Sequence, residues 1–321
     1  MLEPLFSSLP LKVREISLLK KDVYKIEAEE GTFILKKINK PLNKMKFVWG
    51  AVNYLPTHGF SALPALISVN GSDIPLAWQG DIYFICRFLE GERADFSKIE
   101  DLQAAFSCLA DFHAAAHGLT LTGAKQSYFN KQAELKSMVC NLHSWEALAK
   151  KTGGEFATLY IKLLPIYLAR AETAFALLEK ACYNEQAAKA EAAKTFIHGD
   201  VAARNFIIRE GKGALIDFDY SRYDLHQADT ARLLERSLGF WYYDAAVFHE
   251  CLAAYTERLF LSREEMVLII AFLSFPRRFW RLGKRYFIDG IKNKSLFKLK
   301  KLQAVLPEES ALLDYLQAKY T

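Results

Sequence analysis

Only five of the 321 residues are cysteine, at positions 86, 108, 140, 182 and 251, and no pair has CxxC spacing. An odd, scattered set suggests neither a disulfide framework nor a cysteine zinc site, and fits a reducing cytoplasm. Long apolar runs are missing too. The longest, from Met266 to Phe275 with one serine, is too short to span a bilayer and reads as a buried helix. The opening MLEPLFSSLPLKVRE has no basic segment followed by an apolar stretch, so no signal peptide is expected. No zinc finger or RNA-recognition motif is present, which ranks nucleic acid low as a partner. A net charge of +5, 51% hydrophobic and 25% charged residues describe an ordinary soluble chain. Internal repeats and convincing linkers are also lacking.

What is present divides near residue 90. Val13 to Leu19, Val23 to Ala28 and Thr32 to Ile38 read as strands, with Glu29-Glu30-Gly31 turning the second into the third. Pro41 opens a helix from about Leu42 to Leu55, ending near Pro56 and Gly59. Two further strands are expected, Leu66 to Val69 and Asp81 to Phe88, with Asn70-Gly71 supplying a turn. Helical periodicity then dominates, with expected helices near 99–117, 127–150, 155–181 and 185–194 and again from about Ala228. A hairpin interrupts them at Asn205–Arg209 and Ala214–Phe218, turned by Glu210 to Gly213. The expected fold class is α+β: a small antiparallel β-sheet lobe with one helix over residues 1–89, and a larger, mainly helical lobe over 90–321.

The chemistry concentrates in FIHGDVAARNFIIREGKGALIDFDYSRYD, Phe196 to Asp224. Asp200 follows His198-Gly199, Asn205 lies five positions further on, and Asp217 returns across the hairpin. Phosphoryl transfer needs such a set: one carboxylate to orient an acceptor hydroxyl, and oxygen ligands for magnesium. Asp229, in HQADTARLLER, and His198 are expected to brace the loop; for both, a helix cap or a satisfied polar residue is the competing reading. His113 and His117 in HAAAH share a helical face, the geometry of a two-histidine metal site, but no further ligand supports one. Trp145, Trp241 and Trp280 read as core residues.

From Pro276 to Lys301 there are ten Lys or Arg residues and one acid, Asp289. One reading is a helix with Phe275, Phe279, Leu282 and Tyr286 as its core stripe and the basic residues on its wet face. The other is a docking surface for an anionic partner or substrate.

The pattern HGDxxxxN…D resembles the signature of aminoglycoside and choline phosphotransferases, a variant of the protein-kinase pattern. From about Tyr24 to Phe287, the segments YKIEAEEGTFILKK, NYLPTHGF, LADFHAAAHG, LIDFDYSRYDLHQADTARLLER and FPRRFWRLGKRYF look like the CotS family of spore-coat-associated, kinase-like proteins. The resemblance implies a protein-kinase-like two-lobe fold, with a nucleotide-binding N-lobe and an acceptor site in the C-lobe. It places Asp200, with His198, at the catalytic centre, and makes Asn205 and Asp217 the metal ligands for Mg2+. Lys36 becomes the contact to the phosphates of ATP, and Arg87, Phe88 and Leu89 the hinge that reads adenine. The activity implied is an ATP- and magnesium-dependent transfer to a hydroxyl of a small molecule or a spore-coat component, in the cytoplasm or the spore coat, with coat proteins as partners. Two departures leave a catalytically weak pseudokinase scaffold as the alternative. No Asp or Glu occurs between Glu30 and Asp73 to pair with Lys36, and LLKKDVYKI has no glycine to cover phosphates.

Overall fold

The computed structural model describes residues 5–6, 9, 11–39, 41–67, 76–121 and 128–321. The first strands form where side-chain alternation predicts them. β1 (Val13–Lys20), β2 (Val23–Ala28) and β3 (Gly31–Lys37) join β4 (Leu76–Trp78) and β5 (Asp81–Arg87) in an antiparallel sheet, ordered β1-β2-β3-β5-β4. Ile26, Phe33, Leu35, Tyr83 and Ile85 are buried with Leu5 and Leu9 on one face. Each such burial is worth about 1.5–3 kcal/mol. Because strand side chains alternate, Lys36 is delivered to the opposite face. Its register partners are Val23 on β2 and Phe84 on β5.

α1 (Leu42–Tyr54) buries Met45, Val48, Trp49 and Val52, spaced three, one and three apart along one stripe. A single tight turn carries the chain to Gly59, whose φ of 97° ends the helix. Of the strand expected over Leu66 to Val69, the described part lies along β5, with Ile67 N donating to Ile85 O at 3.0 Å. Leu66 makes one isolated bridge to Cys86, and Val69, Asn70 and Gly71 lie outside the described residues. The sheet also takes Leu76–Trp78, turned into β5 by Gln79 and Gly80, both at positive φ.

The remainder is mainly helical: α2 (Ile99–Ala115), α3 (Lys131–Thr152), α4 (Gly154–Lys180), α5 (Tyr183–Ala192), α6 (His226–Ser237), α7 (Ala245–Thr256), α8 (Arg263–Ser274), α9 (Arg277–Gly283), α10 (Ser295–Ala304) and α11 (Leu306–Tyr320). Side-chain caps mark three starts. Asn130 accepts from Ala133 N, Asp244 from Ala246 N, and Ser262 forms a capping box with Glu265. Phe275, Phe279 and Leu282 are buried as expected, and Tyr286 stacks on Phe156 at 3.9 Å. They do not share one helix, however. Pro276 has no N–H to continue α8, so α9 starts anew and passes into a π turn over Lys284–Ile288.

The embedded hairpin is tighter than expected. β6 (Glu92–Arg93) pairs with β8 (Phe206–Arg209), which pairs with β9 (Lys212–Leu215), and only Glu210 and Gly211 form the turn. Both have positive φ, the signature of a two-residue turn that matches strand twist. Gly213 serves packing instead: a Cβ there would stand 2.8 Å from Ala104 O on α2. β7 (Phe196–Ile197) and β10 (Arg222–Tyr223) form a short ladder flanking the HGD loop.

Candidate active site

β7 delivers the chain into His198-Gly199-Asp200. Gly199 has φ +80°, and an added Cβ would lie 2.4 Å from Tyr220 O, so only glycine fits this corner. Asp229 is 2% exposed and accepts from the backbone N–H of both His198 (2.8 Å) and Gly199 (3.1 Å). His198 is wholly buried. Its Nε2 faces Ile216 O at 3.0 Å, and its Nδ1 accepts from Asp200 N at 3.3 Å. Burial holds this imidazole below its ordinary pKa, although Asp229 and the bond to Ile216 pull the other way. A neutral ring in this position braces the loop, and both His198 and Asp229 are buried polar residues satisfied by these bonds.

Asp200 is ringed by donors. Oδ2 accepts from Arg204 Nη2 (2.6 Å) and Asn205 Nδ2 (3.0 Å), and Oδ1 accepts from Arg236 Nη2 (2.8 Å). Asn205 also bonds Asp200 O at 2.7 Å, and its carbonyl accepts from Ile216 N at 2.9 Å. The loop and the start of the Asp217 segment are thereby tied together. Asp217 itself has φ 67° and ψ 63°, an uncommon left-handed conformation for a side-chain-bearing residue.

The Lys36 question is answered from an unexpected direction. Its Nζ donates to Asp217 Oδ1 at 2.7 Å and to Asp219 Oδ2 at 2.8 Å. The acid missing from α1 is supplied 183 residues later by Asp219, so Lys36 is not unpaired. Burial pushes the Lys36 ammonium down, but the two carboxylates outweigh it and its pKa is raised. At Asp217, burial raises the pKa while the charge and hydrogen bond of Lys36, helped by Lys20, bring it below its ordinary value. Lys20 ends β1, beside the glycine-free β1–β2 turn. There Asp22 adopts φ 63° in place of glycine and accepts from Lys37 N through its carbonyl. Asp219, Arg204, Arg236 and Lys20 were not singled out from the sequence. The signal for Asp219 was its place two residues after Asp217; the others carry no local signal.

The expected hinge is placed differently in its parts. Arg87 N donates to Ala65 O and Phe88 N to Thr32 O, so both amides are spent within the sheet. The Arg87 guanidinium lies over the Phe33 ring at 5.4 Å. The HAAAH motif is structural. His113 is buried, with Nδ1 2.7 Å from Tyr255 Oη, and stacks on His226 at 4.2 Å, whereas His117 is exposed. No group of three or more metal-ligating side chains occurs among the described residues. Trp145 is buried and Trp280 lies against it at 5.8 Å, while Trp241 donates to Phe96 O.

A model of the phosphotransferase enzyme family matches residues 12–266, a span that contains this whole constellation. The chain belongs to that family. Spore coat protein S of Bacillus subtilis (strain 168) is 23% identical over 317 residues, covering 93% of this chain and 87% of the relative. An aminoglycoside phosphotransferase from Alicyclobacillus acidocaldarius superposes with a TM-score of 0.88 at 17% identity, covering 98% of this chain and 95% of that one. An amicoumacin kinase solved in complex with AMP-PNP and Ca2+ superposes with a TM-score of 0.62 at 15% identity, over 98% and 93% of the two chains. The kinase-like two-lobe α+β fold of this phosphotransferase is thus shared with proteins of very different sequence. No helix among its described residues is long and apolar enough to cross a membrane.

Proposed function

We propose that the protein transfers the γ-phosphoryl group of ATP to a hydroxyl of a small molecule, with residues 1–89 holding the nucleotide and 90–321 the acceptor. The observation that carries this reading is the convergence of three distant segments. Lys36 of β3 meets Asp217 and Asp219, while Asn205 links that segment to Asp200. The amicoumacin kinase bound to AMP-PNP supports nucleotide as the donor.

The residues present suit magnesium. Asn205 donates through Nδ2, which leaves its Oδ1 for a cation, and Asp217 contributes carboxylate oxygen. Two protein oxygens are few, but magnesium keeps several waters and phosphate oxygens around it. When bound, it would neutralise charge on the phosphates. Lys36 would contact the phosphates, and Leu89 remains the hinge position for adenine. Asp200 orients the acceptor hydroxyl. As the acceptor oxygen bonds the γ-phosphorus, the bond from that phosphorus to the β-bridging oxygen breaks, its electron pair leaves on ADP, and the hydroxyl proton passes to Asp200. Little base strength is needed where bond breaking leads bond formation, so the arginines on Asp200 are compatible with this role.

Those same arginines favour a second reading, a pseudokinase scaffold, because they occupy the carboxylate that must receive a hydroxyl. The likeness to spore coat protein S supports a coat association, and coat proteins as partners, under either reading. A thermal-shift titration decides. A ligand that binds only the native state raises its stability. We expect magnesium-dependent stabilisation by ATP that is lost in Asp217→Ala. No shift at millimolar nucleotide would leave the scaffold reading standing.

A further inference from the structure

Beside Asp200 lies a cavity of about 310 Å³ walled by Arg232, Arg236, Arg278 and Arg281, with Glu235 and Phe240. Arg236 belongs to both places, since the side chain that lines the cavity also donates to Asp200 Oδ1 at 2.8 Å. The volume is at the lower end for a small-molecule site.

The charge balance here is unlike that of the neighbouring basic residues. Arg277 is held by Glu134 at 3.2 Å, Arg222 by Asp224 at 2.9 Å, and buried Lys131 by Asp224 and Glu134. There three cations share two carboxylates in a network that ties α3, α9 and the β10 segment together. The cavity is different. Among its described lining residues Glu235 is the one acid, and it is already in contact with Arg232. Arg278 bonds the neutral hydroxyl of Tyr243. Arg281 is partly exposed at the rim. Desolvation and the neighbouring Arg232, Arg236 and Arg277 bring its guanidinium down to about 10, while Glu235 acts the other way. Arg236 is held by Asp200 and Arg232 by Glu235, whereas Arg278 and Arg281 make no ion pair among the described residues, and an anion seated between these two guanidinium groups would compensate their charge. Lysines of the same basic stretch serve otherwise: Lys300 pairs with Glu155 on the outer surface.

We infer that the acceptor is a small hydroxyl compound bearing a carboxylate or phosphate, seated by Arg232, Arg278 and Arg281 so that its hydroxyl reaches Asp200. This rests on the phosphotransferase reading and specifies its acceptor. A cationic acceptor would meet the uncompensated charge of Arg278 and Arg281 as repulsion. Phe240, more than half exposed, offers an apolar wall for the carbon skeleton.

The test is calorimetric binding of four sugars of similar size to the full-length protein saturated with Mg·ADP: glucose, glucosamine, gluconate and glucose 6-phosphate. At least one anion should bind about tenfold or more tightly than the neutral and cationic sugars, a difference of about 1.4 kcal/mol. Preference between gluconate and glucose 6-phosphate then assigns carboxylate or phosphate. Arg281→Glu should lower that affinity about tenfold, and Arg281→Gln by less, both with Mg·ADP stabilisation intact as proof of folding. Equal responses to all four sugars, including no response to any, would overturn the inference, as would an unchanged affinity in Arg281→Glu. Failure of Mg·ADP itself to bind would instead sink the phosphotransferase reading and this inference with it.

Discussion

Lys36 and Asp200 face each other in charge pattern. Lys36 is one cation held by two carboxylates, Asp217 and Asp219; Asp200 is one carboxylate held by two guanidinium groups and an amide. The first group is set on a strand by sheet register, and its partners arrive from the hairpin exit. The second sits on a loop whose corner is a forced glycine, and its partners come from that loop and α6. On the Lys36 side the excess is acidic, suited to a cation that travels with polyphosphate. On the Asp200 side it is basic and continues into the arginine-lined cavity. The two environments thus differ in the sign of their excess charge.

The largest expected effect breaks the Asp200 side alone. Asp200→Asn should lower phosphoryl transfer by on the order of 10²–10⁴-fold, measured as ADP formation, while stabilisation by Mg·ATP remains. Loss of both would mean that the two charge patterns are not separable. Gly199→Ala comes next. Its Cβ cannot clear Tyr220 O, and its backbone is left-handed, so unfolding in urea should show a loss of about 2–4 kcal/mol. On the other side, Asp219→Asn removes one of the two carboxylates holding Lys36. We expect KM for ATP to rise about tenfold with a smaller change in kcat, because a hydrogen bond to a charged group is worth about 1.5–3 kcal/mol. An unchanged KM would show that Asp219 does not position Lys36.

Acid should separate the two sides without mutation. His198, His113 and His226, which lie beneath the HGD loop, are held below their ordinary pKa chiefly by burial, with Asp229 opposing in each case. In the unfolded chain they take up protons near pH 6.5. Their contribution to stability is therefore full above about pH 6.5 and lost below it, by at most about 1.4 kcal/mol per pH unit for each histidine. Asp217 has a lowered folded pKa, so its contribution holds above about pH 3.9 and is lost only as pH falls further. A melting temperature that stays flat from pH 7 to pH 4.5 would contradict the first half of this expectation. The smallest effect belongs to Lys20, whose attraction to Asp217 acts from an exposed strand end. Lys20→Ser should weaken nucleotide binding about threefold at low salt and hardly at all in about 0.5 M salt.

Much of the site was legible because it lies on one short stretch. Asp200, Asn205 and Asp217 are bound by loop and hairpin geometry that spacing encodes, and the strands around Lys36 follow from alternation. The weak points were long-range. The strand over Leu76–Trp78 was missed because three residues show little periodicity and the sheet selects them by pairing with β5. The hairpin turn was drawn too long because Gly213 looks like turn chemistry but is small to let α2 approach. The apparent orphan at Lys36 followed from expecting its acid on the adjacent helix.

The amino-acid sequence by itself determined the first three strands, the main helices, the HGD corner and the carboxylate–amide–carboxylate set. Periodicity, turn chemistry and spacing act over a few residues and need no other part of the chain. Tertiary structure alone decided which charges meet: Asp219 with Lys36, Arg236 with Asp200, and Arg232, Arg278 and Arg281 around one cavity. Electrostatic interaction depends on distance through space, and folding sets that distance between residues far apart along the chain.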